Sequence, residues 1–311
     1  MCAGKPEKGF PCVRERNPMN LSTLLAQIIN GLQTGSIYAL VALGYSMVYG
    51  IILLLNFAHG DIIMVGAYVV YYSITRFAFH PLLAVLLAVA ASVALGVTVE
   101  KVAYTPLRSA PRLSLLITAI GVSFLLENGA QMIFGADTKS MDPIVPGSVA
   151  IGSVTISYAA IITIAVSVIS MFILTRLVNG TKMGKAMRAV SEDMGAAQLM
   201  GISLNKTISF TFAVGSALAG IGSVLYLCAY PQASPTMGSM LGIKAFIAAV
   251  LGGIGSIPGA MLGGFIIGLL ESLISAVHLS MWKDAVVFVV LIVVLLLKPT
   301  GILGHKVQEK V

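Results

Sequence analysis

The stretch Leu82-Leu-Ala-Val-Leu-Leu-Ala-Val-Ala-Ala-Ser-Val-Ala-Leu-Gly-Val-Thr-Val99 contains no charged residue. Its length is close to the roughly 20 residues that carry a helix through a bilayer. It is continuously apolar, whereas a strand of a membrane barrel alternates over about 10 residues. In lipid a helix pairs all of its own backbone polar groups, so a helix is the expected conformation. Comparable segments recur at 21–43, 44–55, 61–75, 113–134, 158–175, 207–227, 241–254, 258–277 and 281–297. The runs 44–55 and 241–254 are too short to span alone. The expected fold class is therefore an all-α integral membrane protein of about eight transmembrane helices plus broken or re-entrant segments.

The composition leads to the same class. Of 311 residues, 58% are hydrophobic and 10% charged, against roughly half and about a quarter in soluble domains. A mean hydropathy of +0.97 leaves too little polar surface to cover a water-soluble core; membrane lipid is the solvent. The net charge of +7 is distributed by loop. Placing the N-terminus, 100–112, 176–206 and 298–311 on the cytoplasmic side gathers most of the 19 basic residues there and leaves Arg76, Lys139 and Lys283 outside, as the positive-inside rule requires. The charge thus reflects topology, and no nucleic-acid partner is implied. Residues 1–18 form a polar tail, expected to be disordered, ahead of a single transmembrane domain over 19–311. Cys2 and Cys12 lack the companions that a zinc site needs.

Enzyme signatures are missing: there is no G-x-x-x-x-G-K-[ST], H-E-x-x-H or G-x-S-x-G. The nearest approach, Gly180-Thr-Lys-Met-Gly184-Lys185-Ala186, has the wrong spacing and no hydroxyl after the lysine. No catalytic residue, metal site or cofactor is expected in this chain.

Two places break the apolar pattern in a way that suits a substrate route. Asn56-Phe-Ala-His59-Gly60-Asp61 puts His and Asp between two apolar runs, and an Asp at a helix centre costs about 2.5–3.5 kcal/mol on insertion scales. Such groups face protein or water, or else lie in a loop at the membrane surface. Gly252-Gly253-Ile-Gly255-Ser-Ile-Pro258-Gly259 should interrupt a helix inside the membrane, as the discontinuous helices of transporters do. The candidate pathway residues are Asn56, His59, Asp61, Gly252, Gly253 and Gly255. The other glycines, including Gly31, Gly35, Gly259, Gly263, Gly264 and Gly268, read first as close helix packing. Glu127 and Glu271 are candidate partners for Lys244.

The longest basic loop, 176–206, holds an amphipathic pattern over 183–200, with Met187, Val190, Met194 and Ala197 at helical spacing. Its apolar face needs lipid headgroups or a soluble partner to cover it.

Five stretches closely resemble the permease subunits of importers for branched-chain amino acids driven by ATP-binding cassettes: GSIYALVALGYSMVYGIILLLNFAHGD (35–61), YTPLRSAPRLSLLITAIGVS (104–123), AVSEDMGAAQLMGI (189–202), KAFIAAVLGGIGSIPGAMLGG (244–264) and KPTGILG (298–304). The chain is most similar to the smaller of the two permeases that pair in such systems. The resemblance implies a bacterial inner-membrane assembly with a second related permease, two ATPase subunits that bind ATP and Mg²⁺, and a periplasmic binding protein. It also implies that Glu192, Asp193, Ala196, Ala197, Gly201 and Ile202 belong to the helix that couples the permease to its ATPase. Similar permeases serve urea and short amides, which is the alternative substrate class. A stand-alone secondary transporter or channel is the alternative mechanism, and it would need no ATPase.

Overall fold

The computed structural model describes residues 21–52, 56–108, 110–152 and 154–304; the polar tail 1–18, with Cys2 and Cys12, lies outside the described residues. Eleven helices are present there: α1 (Leu21–Ile52), α2 (His59–Thr75), α3 (Pro81–Val99), α4 (Arg112–Phe134), α5 (Tyr158–Gly180), α6 (Lys182–Glu192), α7 (Met194–Leu199), α8 (Leu204–Ala229), α9 (Met237–Gly252), α10 (Ile257–Ala276) and α11 (Lys283–Leu297). Seven of the helical segments are long and apolar enough to cross a bilayer, those of α1, α3, α4, α5, α8, α10 and α11. The 17-residue α2 and the 16-residue α9 are shorter and complete the bundle. Short strands lie between the helices. β1 (Lys139–Ser140) pairs antiparallel with β4 (Gln232–Ala233), and β2 (Ser148–Ile151) with β3 (Val154–Ser157).

The two apolar runs 21–43 and 44–55 fuse into one helix through Ile52. α1 has 32 residues, roughly 48 Å at 1.5 Å per residue. It is the central helix: Ile37 through Leu43 are all buried. Its closest neighbour is α10, antiparallel to it. A Cβ on Gly264 would lie 2.4 Å from the Ala39 backbone, and one on Gly268 would lie 2.2 Å from the Gly35 nitrogen. The two backbones touch, so the helices gain dispersion contacts that a larger residue would forbid. At the opposite extreme, α11 turns Phe288, Val289, Ile292, Val293, Leu296 and Leu297 outward, as a helix facing lipid does.

Packing corrects one expectation about topology. Ser272 near the end of α10 donates to the Gln27 carbonyl at 2.5 Å, and Thr34 shares a 3.0 Å hydrogen bond with Tyr230. Tyr230 adjoins β4, which pairs with Lys139. The beginning of α1 therefore lies on the outer face, opposite 176–206, and not on the basic face where the charge count puts it. The reason is that antiparallel seating on α10 fixes the direction of α1. The four basic residues that weighed toward the inside, Lys5, Lys8, Arg14 and Arg16, precede the described residues.

A single cysteine at Thr23 should react with an impermeant maleimide from outside, as should one at Thr138. A cysteine at Ser191 should react only after permeabilisation. Labelling of Thr23→Cys together with Ser191→Cys would contradict this arrangement.

Candidate functional site

The chain leaves α1 at the basic face and begins α2 deep in the bundle. His59, the first residue of α2, sits against the middle of α1: a Cβ on Gly44 would lie 2.4 Å from its Nε2. Its ring meets Tyr45 edge-on at 4.8 Å between centroids. The entry turn is held by backbone bonds, from His59 N–H to Asn56 O at 3.0 Å and from Asp61 and Ile62 N–H to Ala58 O at 3.1 Å each. Gly60 passes so close to α9 that a Cβ on it would fall 2.2 Å from the Gly238 carbonyl oxygen. Glycine at 44, 60, 238 and 242 is thus the steric condition for starting a helix at this depth.

Asn56 and His59 are each 2% exposed, and Asp61 is fully buried; the polar break is an interior feature, and the surface-loop alternative falls away. The three side chains diverge. Asn56 Oδ1 accepts from the Tyr104 hydroxyl at 2.8 Å, toward α3 and α8. His59 points at α1. Asp61 Oδ2 accepts from Ser123 of α4 at 2.5 Å, and beyond it Ser239 of α9 donates to Glu127 at 3.1 Å. Asn56 Nδ2, His59 Nε2 and Asp61 Oδ1 have no hydrogen-bond partner among the described residues. Buried polar atoms left in that state are expensive, and they occur where a site must meet something else. The arrangement can offer a donor, an acceptor and a carboxylate from one short segment, along with the N-terminal end of α2 and its positive dipole.

The second expected break is placed differently. Gly252-Gly253-Ile-Gly255 is the turn of an α9–α10 hairpin at the basic face, and it does not interrupt a helix inside the membrane. Gly253 and Gly255 have φ of +109° and +87°, a conformation in which glycine avoids the usual steric cost. Ser256 then caps α10 by accepting from the Gly259 N–H at 3.2 Å, with Pro258 in its first turn. The segment before His305 closes over this turn: Ile302 and Leu303 N–H donate to Leu251 O and Gly252 O at 2.9 and 2.8 Å. Gly252 and Gly253 pack closely here, where a Cβ would fall 1.9 Å from the Gly259 oxygen and 2.4 Å from the Gly304 nitrogen. Gly255 has a double position. Its N–H donates to Ser46 of α1 at 3.0 Å, and it lines a cavity of ≈420 Å³ between α1, α5, α6 and the hairpin turn.

That cavity borders the basic loop. The amphipathic pattern over 183–200 forms two helices, because Asp193 leaves helical geometry at φ −155° and caps α7, its Oδ1 accepting from Ala196 N–H at 2.9 Å. α6 buries Met187 and Val190 against the bundle, and α7 buries Ala197. Glu192, Asp193, Ala196 and Gly201 are exposed, with Ile202 half-buried. Gly201, at φ +83°, ends α7, and Ile202 N–H closes back to Ala197 O at 3.0 Å, as a Schellman-type cap does. Ala197 is thus committed to its own chain. The outermost side chains are Leu199 and Met200, 91% and 82% exposed. Met187, Val190, Met194 and Ala197 all face the bundle, as helical spacing expects, and Leu199 and Met200 fall on the opposite side.

Lys244 also finds its partners. It is 2.8 Å from both Glu271 and Asp284, and Tyr38 donates to Glu271 at 2.9 Å. Asp284 adds a third helix to the pairing read from the sequence, binding α9, α10 and α11 together. Glu127 is not part of it.

Because Gly253 serves the hairpin, Gly253→Ala should destabilise the protein by about 1–3 kcal/mol through backbone strain, visible as a lower unfolding midpoint in detergent. A Gly44→Leu variant, acting on His59, should remain inserted but lose uptake. An unchanged midpoint for the first, or unchanged uptake for the second, would contradict these assignments.

Comparison with known proteins places the chain. The family model described as "Branched-chain amino acid transport system / permease component" matches residues 27–295. The high-affinity branched-chain amino acid transport system permease protein BraD of Pseudomonas aeruginosa is 45% identical over 300 residues, covering 92% of this chain and 98% of the relative. LivH of Escherichia coli, a permease of the same description, is 42% identical over 92% of this chain and 97% of its own length. A probable branched-chain amino acid transport permease of Methanocaldococcus jannaschii is 30% identical over 86% and 89%. These relatives are transport permeases and not enzymes. No solved structure gives a significant match. With the family model covering most of its length and its apolar helices able to cross a bilayer several times, the chain is a multi-pass inner-membrane protein that belongs to the family of branched-chain amino acid transport permease components.

Proposed function

We propose that this chain forms one half of the translocation path of an ATP-driven importer for leucine, isoleucine and valine. The observation that carries the reading is the identity of 45% to a high-affinity branched-chain amino acid permease along 98% of that protein's length. The partners are a second related permease, two ATPase subunits that bind ATP and Mg²⁺, and a periplasmic binding protein that delivers the amino acid. Asn56, His59 and Asp61 line or shape the route. A zwitterion with a branched apolar side chain needs a mostly apolar passage and dipoles for its two ends. The buried start of α2 supports that role, since it combines unpartnered polar atoms with a helix N-terminus among apolar neighbours.

The loop 176–206 is the ATPase contact in this reading, with 192–202 at its tip. A six-residue helix that buries Ala197 and presents Leu199 and Met200 outward is suited to a groove on a soluble partner, where small neighbours allow close approach and Met fills irregular gaps.

Labelled leucine uptake, in a host lacking its own permease of this kind, tests both parts. Uptake should require the ATPase genes, and Leu199→Asp or Met200→Asp should abolish it and release the ATPase on purification, with membrane insertion unchanged. Uptake without any ATPase would convert the reading to a secondary transporter, and wild-type copurification of both variants would remove 192–202 as the contact.

A further inference from the structure

A chain of polar contacts runs from the base of the coupling loop, where it is exposed, to the buried break before α2. It begins where α8 starts, immediately after α7 and Ile202. Arg108 donates through one guanidinium nitrogen to Asn205 of α8 at 2.6 Å and through the other to Glu100 at 3.1 Å. Glu100 is 1% exposed. Thr105 donates to the same Glu100 oxygen as Arg108, at 2.7 Å, and the second oxygen accepts from Ser209 of α8 at 2.7 Å. Asn205, Ser209 and Phe212 fall on one face of α8, and together they grip the segment that follows α3.

That segment is a π-turn, Glu100–Tyr104, closed by Thr105 N–H to Glu100 O at 2.8 Å. Turns of this kind insert an extra residue into a helix and are frequent at functional positions. Its effect is that Glu100 meets Ser209 while Tyr104, the last residue of the turn, lays its ring against Phe212 at 5.6 Å. The Tyr104 hydroxyl then donates to Asn56 at 2.8 Å, three residues before His59. Above the turn α3 and α8 lie in close contact, since a Cβ on Gly96 would fall 1.8 Å from the Ser216 hydroxyl oxygen.

We infer that Arg108, Glu100 and Tyr104 are positioning residues that relay movement of the ATPase-coupling loop to Asn56 and the start of α2. This inference rests on the coupling reading above. Each residue has a chemical reason for its place. Glu100 is a desolvated carboxylate whose ion pair and hydrogen bonds offset its burial. Arg108 supplies a planar fork whose two terminal nitrogens hold separate acceptors in a fixed geometry, which the single nitrogen of lysine does not reproduce. Tyr104 joins an aromatic contact on α8 to a polar contact on the break. Spatial continuity alone does not demonstrate coupling between sites, so the decisive property is energetic: substitutions in one relay are not independent.

The test uses the complete importer in proteoliposomes, with the second permease, the ATPases and the binding protein, and measures leucine uptake and ATP hydrolysis together. Tyr104→Phe keeps the ring and removes only the bond to Asn56; Arg108→Lys keeps the charge and removes the fork. Either should lower uptake per ATP by about 10-fold, with ATPase copurification intact, and the double variant should be no worse than the worse single one. Wild-type uptake per ATP in Tyr104→Phe, or losses that multiply in the double variant, would overturn the relay. A merely structural role would lower the unfolding midpoint and leave uptake per ATP unchanged, which also overturns it. Should Arg108→Lys fail to assemble, Tyr104→Phe decides alone. Leu199→Asp separates the two levels: if it retains the ATPase, the coupling reading itself has failed, whereas loss of the ATPase there with a neutral Tyr104→Phe removes only the relay.

Discussion

Just ahead of α2, at 56–58, the backbone lies outside regular helix within the bundle, where lipid offers nothing to its N–H and C=O groups. Everything around the break follows from that constraint. Ala58 and Asn56 carbonyls take up the first amides of α2, and Tyr104 fixes the Asn56 side chain. Glycine backbones on α1, α2 and α9 close the space that side chains would otherwise occupy. The central position of α1 belongs to the same solution, because only a helix covered on most sides by α10, α8, α5 and α9 can present its inner end to a break that stays dry.

The charges in the interior divide into two kinds. Lys244, Glu271 and Asp284 neutralise one another across three helices, and Glu100 is paired with Arg108. In a low-dielectric interior, removing one member of such a pair strands the other, so these groups help fix the relative placement of their helices; among the described residues Lys244 is the polar tie of α11 to α9. Asp61, Asn56 and His59 are different in that each retains an unpartnered buried atom. The carboxylates of Glu271 and Asp284 face Lys244, whereas no ion pair reaches the unpartnered atoms of Asn56, His59 and Asp61 among the described residues.

Family membership and fold class were legible in the chain itself, because hydropathy acts locally: each apolar segment of about 20 residues partitions into lipid largely on its own account. The same local logic located the polar break at 56–61, since His and Asp are conspicuous between apolar runs. It also made Gly31, Gly35, Gly264 and Gly268 readable as packing glycines, and Lys244 as needing a carboxylate. Start and stop signals at Gly253, Ser256 and Pro258 were present as well, but the same glycines suit a turn or a broken helix, and the residues alone do not say at what depth they lie.

Tertiary structure decided whatever depended on two distant segments meeting. The direction of α1 is set by backbone contact with α10, more than 200 residues away, and that contact outweighs a count of nearby charges. The assignment of Gly252 and Gly253 to an inner hairpin depends on residues 301–304 folding over them. The division of 183–200 into two helices depends on a single non-helical residue at Asp193, and the line from Arg108 through Glu100 and Tyr104 to Asn56 depends on a π-turn that no periodicity announces. The sequence by itself determined which segments enter the membrane and which polar residues accompany them, because transfer from water to lipid is nearly additive along a chain. Which of those residues touch was decided by the tertiary structure alone, because close packing depends on the shapes of both partners at once.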